Sequence, residues 1–224
     1  MKILITGGAG MLGRTLQKEL SDNDITIADL PDWDITDDSA FIERTISIAP
    51  DLIIHTAAMT KVDECEEKRD LAFKLNEAGS RNVALAAKLC GARLIAISTD
   101  YVFGAQPPQE PWAWGERDIP RPRTVYGASK LAGERMIEML LPSAVILRVA
   151  WLYGAEGPSF VHTMMKIGKE NPSEIKVVND QRGNPTSCKV VSDVIRFLMT
   201  KPEVSGVVHA TCENQCSWYD FACE

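Results

Sequence analysis

The sequence has no long apolar run: no stretch of its 224 residues has the length and apolarity of a membrane span. The apolar segment at Met1–Gly7 is too short for a signal peptide and is followed by no small-residue cleavage site. Basic charge is also scarce, because 24 Lys and Arg face 31 Asp and Glu and the net charge is −7. We therefore expect a cytoplasmic protein that binds neither a membrane nor, through bulk charge, a nucleic acid.

The six cysteines form neither paired CxxC clips nor a Cys/His zinc pattern. We interpret them as reduced thiols. Cys212, Cys216 and Cys223 lie close together in the sequence, but no fourth ligand accompanies them, so no metal site is predicted. The chain also lacks internal repeats and low-complexity segments, and its 45% hydrophobic content suffices for one large core, or for a core and a small lobe.

Apolar, β-branched runs alternate with helical patterns over the first two thirds of the chain. This alternation predicts an α/β fold, with a doubly wound parallel sheet covered by helices on both faces. The predicted strands are Lys2–Thr6, Asp24–Ala28, Asp51–His55, Arg93–Ile97 and Ala144–Arg148. The predicted helices are Gly10–Leu20, Asp38–Ile48, Leu71–Leu89 and Val125–Leu140.

The pattern loosens in the last third, where residues 151–224 are interpreted as a smaller lobe interleaved with the far edge of the sheet of residues 1–150. The elements predicted there are a short helix within Gly154–Asn171, a strand at Glu174–Val178, a helix at Ser187–Met199 and a strand at Val207–His209. The proline-rich stretch Gln106–Arg123 predicts a long loop, in which Trp112 and Trp114 either cover a site or pack locally.

A glycine-rich turn directly follows the first predicted strand and opens a helix. Gly7 permits the tight turn, Gly10 lets the backbone approach a pyrophosphate, and Gly13 lets helix and strand pack closely. Met11 and Leu12 lie in the first turn of this helix, where free N–H groups favour bound phosphate, and both are predicted cofactor contacts. A plain tight turn is the alternative, which the position in a βαβ unit disfavours.

Asp29 ends the second predicted strand, 16 positions after Gly13. A carboxylate there accepts hydrogen bonds from the adenosine ribose hydroxyls and repels a 2′-phosphate. Asp29 therefore favours NADH, with NADPH as the second cofactor to consider. A solvated turn is the alternative reading of this aspartate, because further acidic residues crowd the same segment.

Tyr126 and Lys130 lie four positions apart, on one face of a predicted helix. An ammonium near a phenol lowers the phenol pKa from about 10, so the tyrosine can exchange a proton with a substrate oxygen while hydride moves at carbon. Thr99 ends the fourth strand, at the sheet edge where ligands bind, and its hydroxyl can hold the substrate carbonyl. Thr99, Tyr126 and Lys130 are the predicted catalytic residues.

Several segments together resemble the dTDP-4-dehydrorhamnose reductases, a family of the extended short-chain dehydrogenase/reductase superfamily. These segments are Ala57–Thr60, Asp63–Glu66, Ser98–Gly104, Tyr126–Glu134, Leu147–Gly154, Val178–Thr186 and Ser217–Ala222. They follow one another in order along the whole chain, which is more specific than any single motif. The resemblance implies a Rossmann-like fold that reduces the C4 keto group of dTDP-4-dehydro-L-rhamnose to dTDP-L-rhamnose, with NADH or NADPH.

The resemblance also implies roles for single residues. Tyr126 would protonate O4, Thr99 would hold the carbonyl, and Lys130 would orient the cofactor. Asp100 and Trp151 would contact the substrate, with a core position as the alternative for Trp151. Further cofactor contacts would lie at Asp34, Ile35, Ala57, Ala58, Met59 and Ile97.

The same family implies a homodimer, and a magnesium ion at a dimer contact. Because its members continue well past the segment that matches Ser217–Ala222, we expect the substrate lobe of this chain to be incomplete. A dehydratase is disfavoured, since Tyr101 rather than Glu follows Asp100. An epimerase, a non-catalytic subunit resembling the regulatory subunit of methionine adenosyltransferase, and a bare NAD-sensing domain stay open.

Overall fold

The computed structural model describes residues 1–104, 113–170 and 175–224. The strands of the main sheet are β1 (Lys2–Thr6), β2 (Asp24–Ala28), β3 (Leu52–His55), β4 (Arg93–Thr99), β5 (Val145–Val149) and, after three short strands, β9 (Gly206–His209). They are hydrogen-bonded in the order β2-β1-β3-β4-β5-β9, and every neighbouring pair is parallel. The short strands β6 (Leu152–Tyr153) and β8 (Thr186–Ser187) pair in parallel, whereas β7 (Arg182–Gly183) and β10 (Cys216–Ser217) pair antiparallel.

Helices cover both faces of the sheet. They are α1 (Met11–Glu19), α2 (Asp38–Ile48), α3 (Val62–Glu67), α4 (Arg69–Phe73), α5 (Ser80–Cys90), α6 (Val125–Leu140), α7 (Phe160–Glu170), α8 (Cys188–Met199) and α9 (Trp218–Cys223). A π-helix spans Lys74–Gly79 and a 3-10 turn spans Asp100–Val102. Within the described ranges, no helix combines the length and the apolarity needed to cross a membrane.

Two apolar layers hold the sheet between its helices. Because side chains alternate along a strand, Ile3 and Ile5 of β1 join the layer under α1 and α8, while Leu4 joins the layer under α2 and α5. Strand β9 comes from the last third of the chain and still extends the main sheet beside β5. The predicted doubly wound α/β fold is confirmed.

Two predictions about local structure are wrong. The helix predicted at Leu71–Leu89 is divided into α4, the π-helix and α5, and α3 precedes it. No strand forms over residues 175–178, because the Val178 carbonyl accepts the Tyr219 N–H at 3.0 Å, at the start of α9, instead of joining a ladder. Glu174, Trp112 and the first part of the proline-rich loop lie outside the described residues.

Candidate active site

A cavity of about 880 Å³ lies along the carboxyl ends of β1, β3 and β4, where the strand order of the sheet reverses. Ligands of doubly wound sheets bind at this kind of crevice. Sixteen residues that the sequence singled out line it: Gly7, Gly10, Met11, Leu12, Gly13, Asp29, Asp34, Ile35, Ala57, Ala58, Ile97, Thr99, Asp100, Tyr126, Lys130 and Trp151. The fold therefore brings residues predicted to bind cofactor, to bind substrate and to act in catalysis to a single cavity.

The glycine turn requires glycine for two different reasons. Gly7 has a φ of +70°, and a Cβ there would lie 2.6 Å from the Ala57 nitrogen. A Cβ at Gly13 would lie 2.4 Å from the Gly7 carbonyl oxygen, so a side chain would separate α1 from the turn. Gly10 is the N-cap of α1 and brings no side chain, so the first N–H groups of α1 are open toward the cavity. This cradle fits the pyrophosphate of a dinucleotide.

Asp29 connects the glycine turn to the end of β2. Its Oδ2 accepts the Ala9 N–H at 2.7 Å and its Oδ1 accepts the Leu30 N–H at 2.8 Å. Each carboxylate oxygen has a second lone pair, which leaves capacity for ribose hydroxyls at the cavity wall. Asp29 therefore supports the turn by its own hydrogen bonds as well as standing where the ribose contact was predicted.

Met59 does not line the cavity. The Asn76 side chain holds its backbone from both sides, since Oδ1 accepts the Met59 N–H at 2.8 Å and Nδ2 donates to the Met59 carbonyl at 3.0 Å. The Met59 side chain packs against Cys65 and Tyr126. Its backbone thus supports the wall formed by Ala57 and Ala58, and a direct cofactor contact stays a prediction.

The three predicted catalytic side chains lie near the end of β4. Thr99 Oγ1 donates to Asp100 Oδ1 at 3.1 Å and accepts the Tyr101 N–H at 3.2 Å. The Tyr126 ring is buried and makes an edge contact with the Tyr101 ring, with centroids 5.5 Å apart. Lys130 Nζ donates to the Ile97 carbonyl at 2.8 Å, and both residues line the cavity.

The start of α6 places Tyr126 in this position. Thr124 Oγ1 accepts the Gly127 N–H at 3.0 Å, and the Glu66 carboxylate of α3 accepts the Val125 N–H at 2.8 Å. Two N–H groups that no helical carbonyl can satisfy are thereby bonded. The helix begins one residue before Tyr126, which fixes the phenol in the first turn.

Burial dominates the electrostatics of the site. It raises the pKa of the Tyr126 phenol above its ordinary value, although a hydrogen bond with Thr99 acts in the opposite direction. Burial lowers the pKa of Lys130 to about 8, with Glu134 opposing it, and raises the pKa of Asp100 to about 6. The lowered phenol pKa expected from the Tyr–Lys spacing is wrong here, because the Lys130 ammonium donates to a backbone carbonyl and burial disfavours the phenolate.

Aromatic residues close the other end of the cavity. Trp151 has a φ of +44°, and its ring stacks on that of Trp218 with centroids 3.5 Å apart and planes within 8°. Gly183 lies against the edge of the Trp151 ring, and Phe160 contacts Trp218. The Trp151 ring thus packs in an aromatic cluster and also lines the cavity, and its contact with the substrate stays a prediction.

Sequence reasoning missed several wall residues, including Trp33 and Trp218. Trp218 lies in a segment that carried the family resemblance, so its position was noted without a role. Trp33 follows the second strand in an acidic turn and had no distinguishing signal. Trp114 is not part of the wall, because its ring stacks on that of Phe103 with centroids 4.6 Å apart.

The described residues give no support to a magnesium site. Among them, no three His, Cys, Asp or Glu side chains are grouped so that they could hold a metal ion. Cys212, Cys216 and Cys223 are free thiols.

Comparisons with known proteins give one family. The model described as the RmlD substrate binding domain matches residues 1–224. The chain is 36% identical to the dTDP-4-dehydrorhamnose reductase of Escherichia coli (strain K12), over 99% of this chain and 76% of that protein. It is 38% identical to a probable dTDP-4,6-dihydroxy-2-methyloxan-3-one 4-ketoreductase of Streptomyces antibioticus, over 100% of this chain and 76% of that protein.

A solved structure agrees with these sequence relatives. The crystal structure of dTDP-4-dehydrorhamnose reductase from Bacillus anthracis in complex with NADP has a TM-score of 0.94 to this fold and is 43% identical. The match covers 99% of this chain and 78% of that chain.

Proposed function

Because the chain belongs to the RmlD substrate binding domain family, we propose that it is an oxidoreductase that reduces the C4 keto group of dTDP-4-dehydro-L-rhamnose to dTDP-L-rhamnose. One observation carries this proposal: Thr99, Tyr126 and Lys130 share a single cavity with a glycine turn built for a dinucleotide. The names of the relatives support the substrate class, since they are reductases of dTDP-linked keto sugars.

The chemistry divides between the cofactor and the chain. A bound nicotinamide cofactor supplies the hydride for C4. Tyr126 donates a proton to O4, and its raised pKa suits this role because the phenol stays protonated until the oxygen gains charge. Thr99 orients the carbonyl from the end of β4. Lys130, one helical turn beyond Tyr126, would orient the cofactor.

We propose that the cofactor is NADH, with NADPH accepted less well. The carboxylate of Asp29 lies on the cavity wall at the end of β2, where it would repel a 2′-phosphate. The Bacillus anthracis relative was crystallised with NADP, so a relative at 43% identity accommodates that phosphate. The relative rates with the two cofactors, measured at equal concentration, test the preference.

We also propose a division of labour along the chain. Residues 1–150 would bind NAD(P)H and carry the three catalytic side chains. Residues 151–224 would form part of the substrate lobe, which is supported by the positions of Trp151 and Trp218 on the cavity wall. An aromatic face there suits the apolar C–H face of a 6-deoxy sugar.

A related reductase activity is the second candidate. The Streptomyces antibioticus relative is named for the 4-keto reduction of a different dTDP sugar. Comparing the turnover of several 4-keto sugar nucleotides with that of dTDP-4-dehydro-L-rhamnose separates the two candidates, because each predicts a different preferred substrate.

The first experiment follows NADH absorbance in the presence of enzymatically generated dTDP-4-dehydro-L-rhamnose. We expect oxidation that depends on the keto sugar, with dTDP-L-rhamnose as product. The Tyr219→Phe variant is the control for replacing the Tyr126 hydroxyl. Tyr219 is exposed and does not line the cavity, so removal of its hydroxyl should leave turnover unchanged. Binding of NADH without oxidation by any 4-keto sugar nucleotide would contradict the proposal and favour a regulatory subunit.

Two wider expectations accompany this function. We propose that the reaction takes place in the cytoplasm, where nucleotide sugars and nicotinamide cofactors would both be available. We further propose a homodimer, on the family resemblance alone, and sedimentation equilibrium of the purified chain tests it.

A further inference from the structure

Helix α6 presents three ionisable side chains on one face. Tyr126, Lys130 and Glu134 follow each other at intervals of four residues, so they lie one above the next. The first two belong to the proposed reaction. Glu134 does not line the active-site cavity, and only 3% of the residue is exposed. A carboxylate buried this deeply is costly unless it is paired with an opposite charge and hydrogen-bonded.

The partner of Glu134 is Arg148 of β5. Arg148 Nε donates to Glu134 Oε1 at 2.9 Å, and Arg148 Nη2 donates to Glu134 Oε2 at 2.6 Å. This two-pronged arrangement fixes the carboxylate in direction as well as in place. Ser98 Oγ donates to the same Oε1 at 2.5 Å, and the Phe103 ring lies 5.1 Å from the Arg148 guanidinium carbon.

Strand β4 connects this pair to the active site. Ile97 accepts the Lys130 ammonium, Ser98 holds the Glu134 carboxylate, and Thr99 stands beside Tyr126. Three consecutive residues of one strand thus engage the three side chains of α6. A displacement of Glu134 would therefore also disturb the neighbouring contacts between β4 and α6.

Lys130 and Glu134 also face the same small space. A cavity of about 10 Å³ is lined by both side chains, together with Ser98, His55 and Ser80. The remaining lining is apolar, from residues such as Ile137 and Ile146. In such surroundings a carboxylate acts strongly on a neighbouring ammonium, because little solvent screens the two charges.

We propose that Glu134, fixed by Arg148 and Ser98, is a positioning residue that keeps Lys130 in its charged form beneath the active site. The proposal rests on the proposed function, in which charged Lys130 orients the cofactor. It assigns the buried ion pair a part in the reaction in addition to its part in the core.

The charges around Lys130 support this assignment. Burial lowers its pKa, and Glu134 is the group that raises it. Of the other charged or titratable groups nearby, His55 of β3 shares the small cavity with Lys130, and Asp100 and Tyr126 share the active-site cavity with it. Arg148 of β5 is paired with Glu134. His55 is neutral there, because burial and the Lys130 charge lower its pKa to about 3. Without Glu134, the ammonium would be disfavoured by burial alone.

The test removes both charges of the pair. Glu134→Gln alone would leave the Arg148 guanidinium buried and unpaired, and such variants tend to misfold. The double variant Glu134→Gln with Arg148→Met keeps the interior neutral. We expect the loss of kcat at high pH to begin about one pH unit lower than in the wild type, because Lys130 loses its proton more readily.

Two controls define the effect. Glu138→Gln removes the next glutamate of α6, which is exposed, and should leave the pH profile unchanged. Glu134→Asp with Arg148 intact keeps a charge in place and should return the profile toward that of the wild type. A role in packing alone would lower stability without moving the pH profile.

A second readout does not depend on turnover. The ¹⁵N resonance of the Lys130 side chain, assigned with a Lys130→Arg variant, reports the pKa of this amine directly. We expect the double variant to lower it by about one unit. An unchanged Lys130 pKa in a folded double variant would overturn the proposal, whether or not the wild type reduces the expected sugar.

Discussion

The Tyr126 side chain is largely enclosed by protein and lines the cavity. Its pKa lies above the ordinary value because burial penalises the phenolate more than the Thr99 hydrogen bond favours it. A phenol with a raised pKa stays protonated at neutral pH. It gives the proton up only when a stronger base, such as a developing alkoxide, comes within reach.

Replacing this hydroxyl tests the assignment. Tyr126→Phe should lower kcat by at least about 100-fold, because the ring is kept and only the proton donor is lost. Cofactor affinity, measured by NADH fluorescence titration, should be close to that of the wild type. Near-normal turnover in this variant would remove Tyr126 as the acid.

Asp29 permits a prediction about cofactor preference. Asp29→Ala should narrow the difference between NADH and NADPH and weaken both, since the Ala9 and Leu30 N–H groups lose their acceptor. Asp29→Asn keeps an amide oxygen for one of these groups and removes the charge, so it separates repulsion from support of the turn. If the ratio of kcat/KM for the two cofactors is the same in all three proteins, Asp29 does not read the ribose.

At the level of whole elements, the position of α6 is set by its first turn. Two N–H groups of this turn donate hydrogen bonds, one to the N-cap Thr124 and one to Glu66 of α3. The acidic segment of α3 therefore has a structural purpose, since it closes the end of the helix that carries Tyr126 and Lys130. It also packs Cys65 against the Tyr126 ring.

The cap can be removed without touching the cavity. Thr124→Ala should lower the free energy of unfolding by about 1 kcal/mol, which urea titration measures. Thr124→Ser retains the hydroxyl and should recover most of this loss. Equal stability of the alanine and serine variants would show that the Thr124 hydroxyl contributes nothing to α6.

The π-helix at Lys74–Gly79 is a second element whose geometry serves the site. It presents Asn76, which holds the Met59 backbone and also donates to Ser129 Oγ at 2.9 Å. Ser129 in turn donates to the Tyr126 carbonyl at 2.8 Å. One amide thus connects the wall after β3 with the catalytic helix, and π-turns inside helices are often found at functional sites.

Across the whole molecule, a buried chain of polar groups joins Thr6, the residue before the glycine turn, to the backbone of Asn76. Thr6 donates to His55 Nδ1 at 2.7 Å, His55 Nε2 donates to Ser80 Oγ at 3.0 Å, and Ser80 donates to the Asn76 carbonyl at 2.7 Å. These partners fix a neutral imidazole with its proton on Nε2. The network extends from the residue before the glycine turn to the π-helix that packs against α6.

This neutral histidine predicts a pH dependence of stability. The pKa of His55 is about 3 in the folded protein, against 6.5 for an ordinary histidine. As pH falls from 6.5 toward 3, the unfolded chain binds a proton at this histidine and the folded protein does not. Stability is lost at up to about 1.4 kcal/mol per pH unit. His55→Gln should flatten the fall in unfolding free energy between pH 6.5 and 4, measured by urea titration.

Asp100 acts in the opposite sense and provides the control. Its pKa is raised from 3.8 to about 6, so the native state takes up a proton there before the unfolded chain does, which adds stability as pH falls. Asp100→Asn should therefore steepen the decline that His55→Gln flattens. Parallel curves for both variants and the wild type would show that neither group has a displaced pKa.

Much of this architecture was determined by the sequence alone. The bounds of β1, β2, α2 and α6 agree with their predicted ranges, because each depends on a local pattern of apolar residues, caps and helix-stopping prolines. The sequence also predicted that the glycine turn and the three proposed catalytic side chains lie at one cavity, since in a parallel sheet the ends of successive strands meet at one edge. Local order and sheet direction suffice for these features.

Only the tertiary structure decided the rest. The π-helix, the stack of Trp151 on Trp218, the raised pKa of Tyr126 and the buried pair of Glu134 and Arg148 each depend on residues distant in the chain. Periodicity records which face of an element is apolar, but not which side chain it will meet or how far water is excluded. Desolvation and partner geometry are properties of the packed molecule, and they set the chemistry of the site.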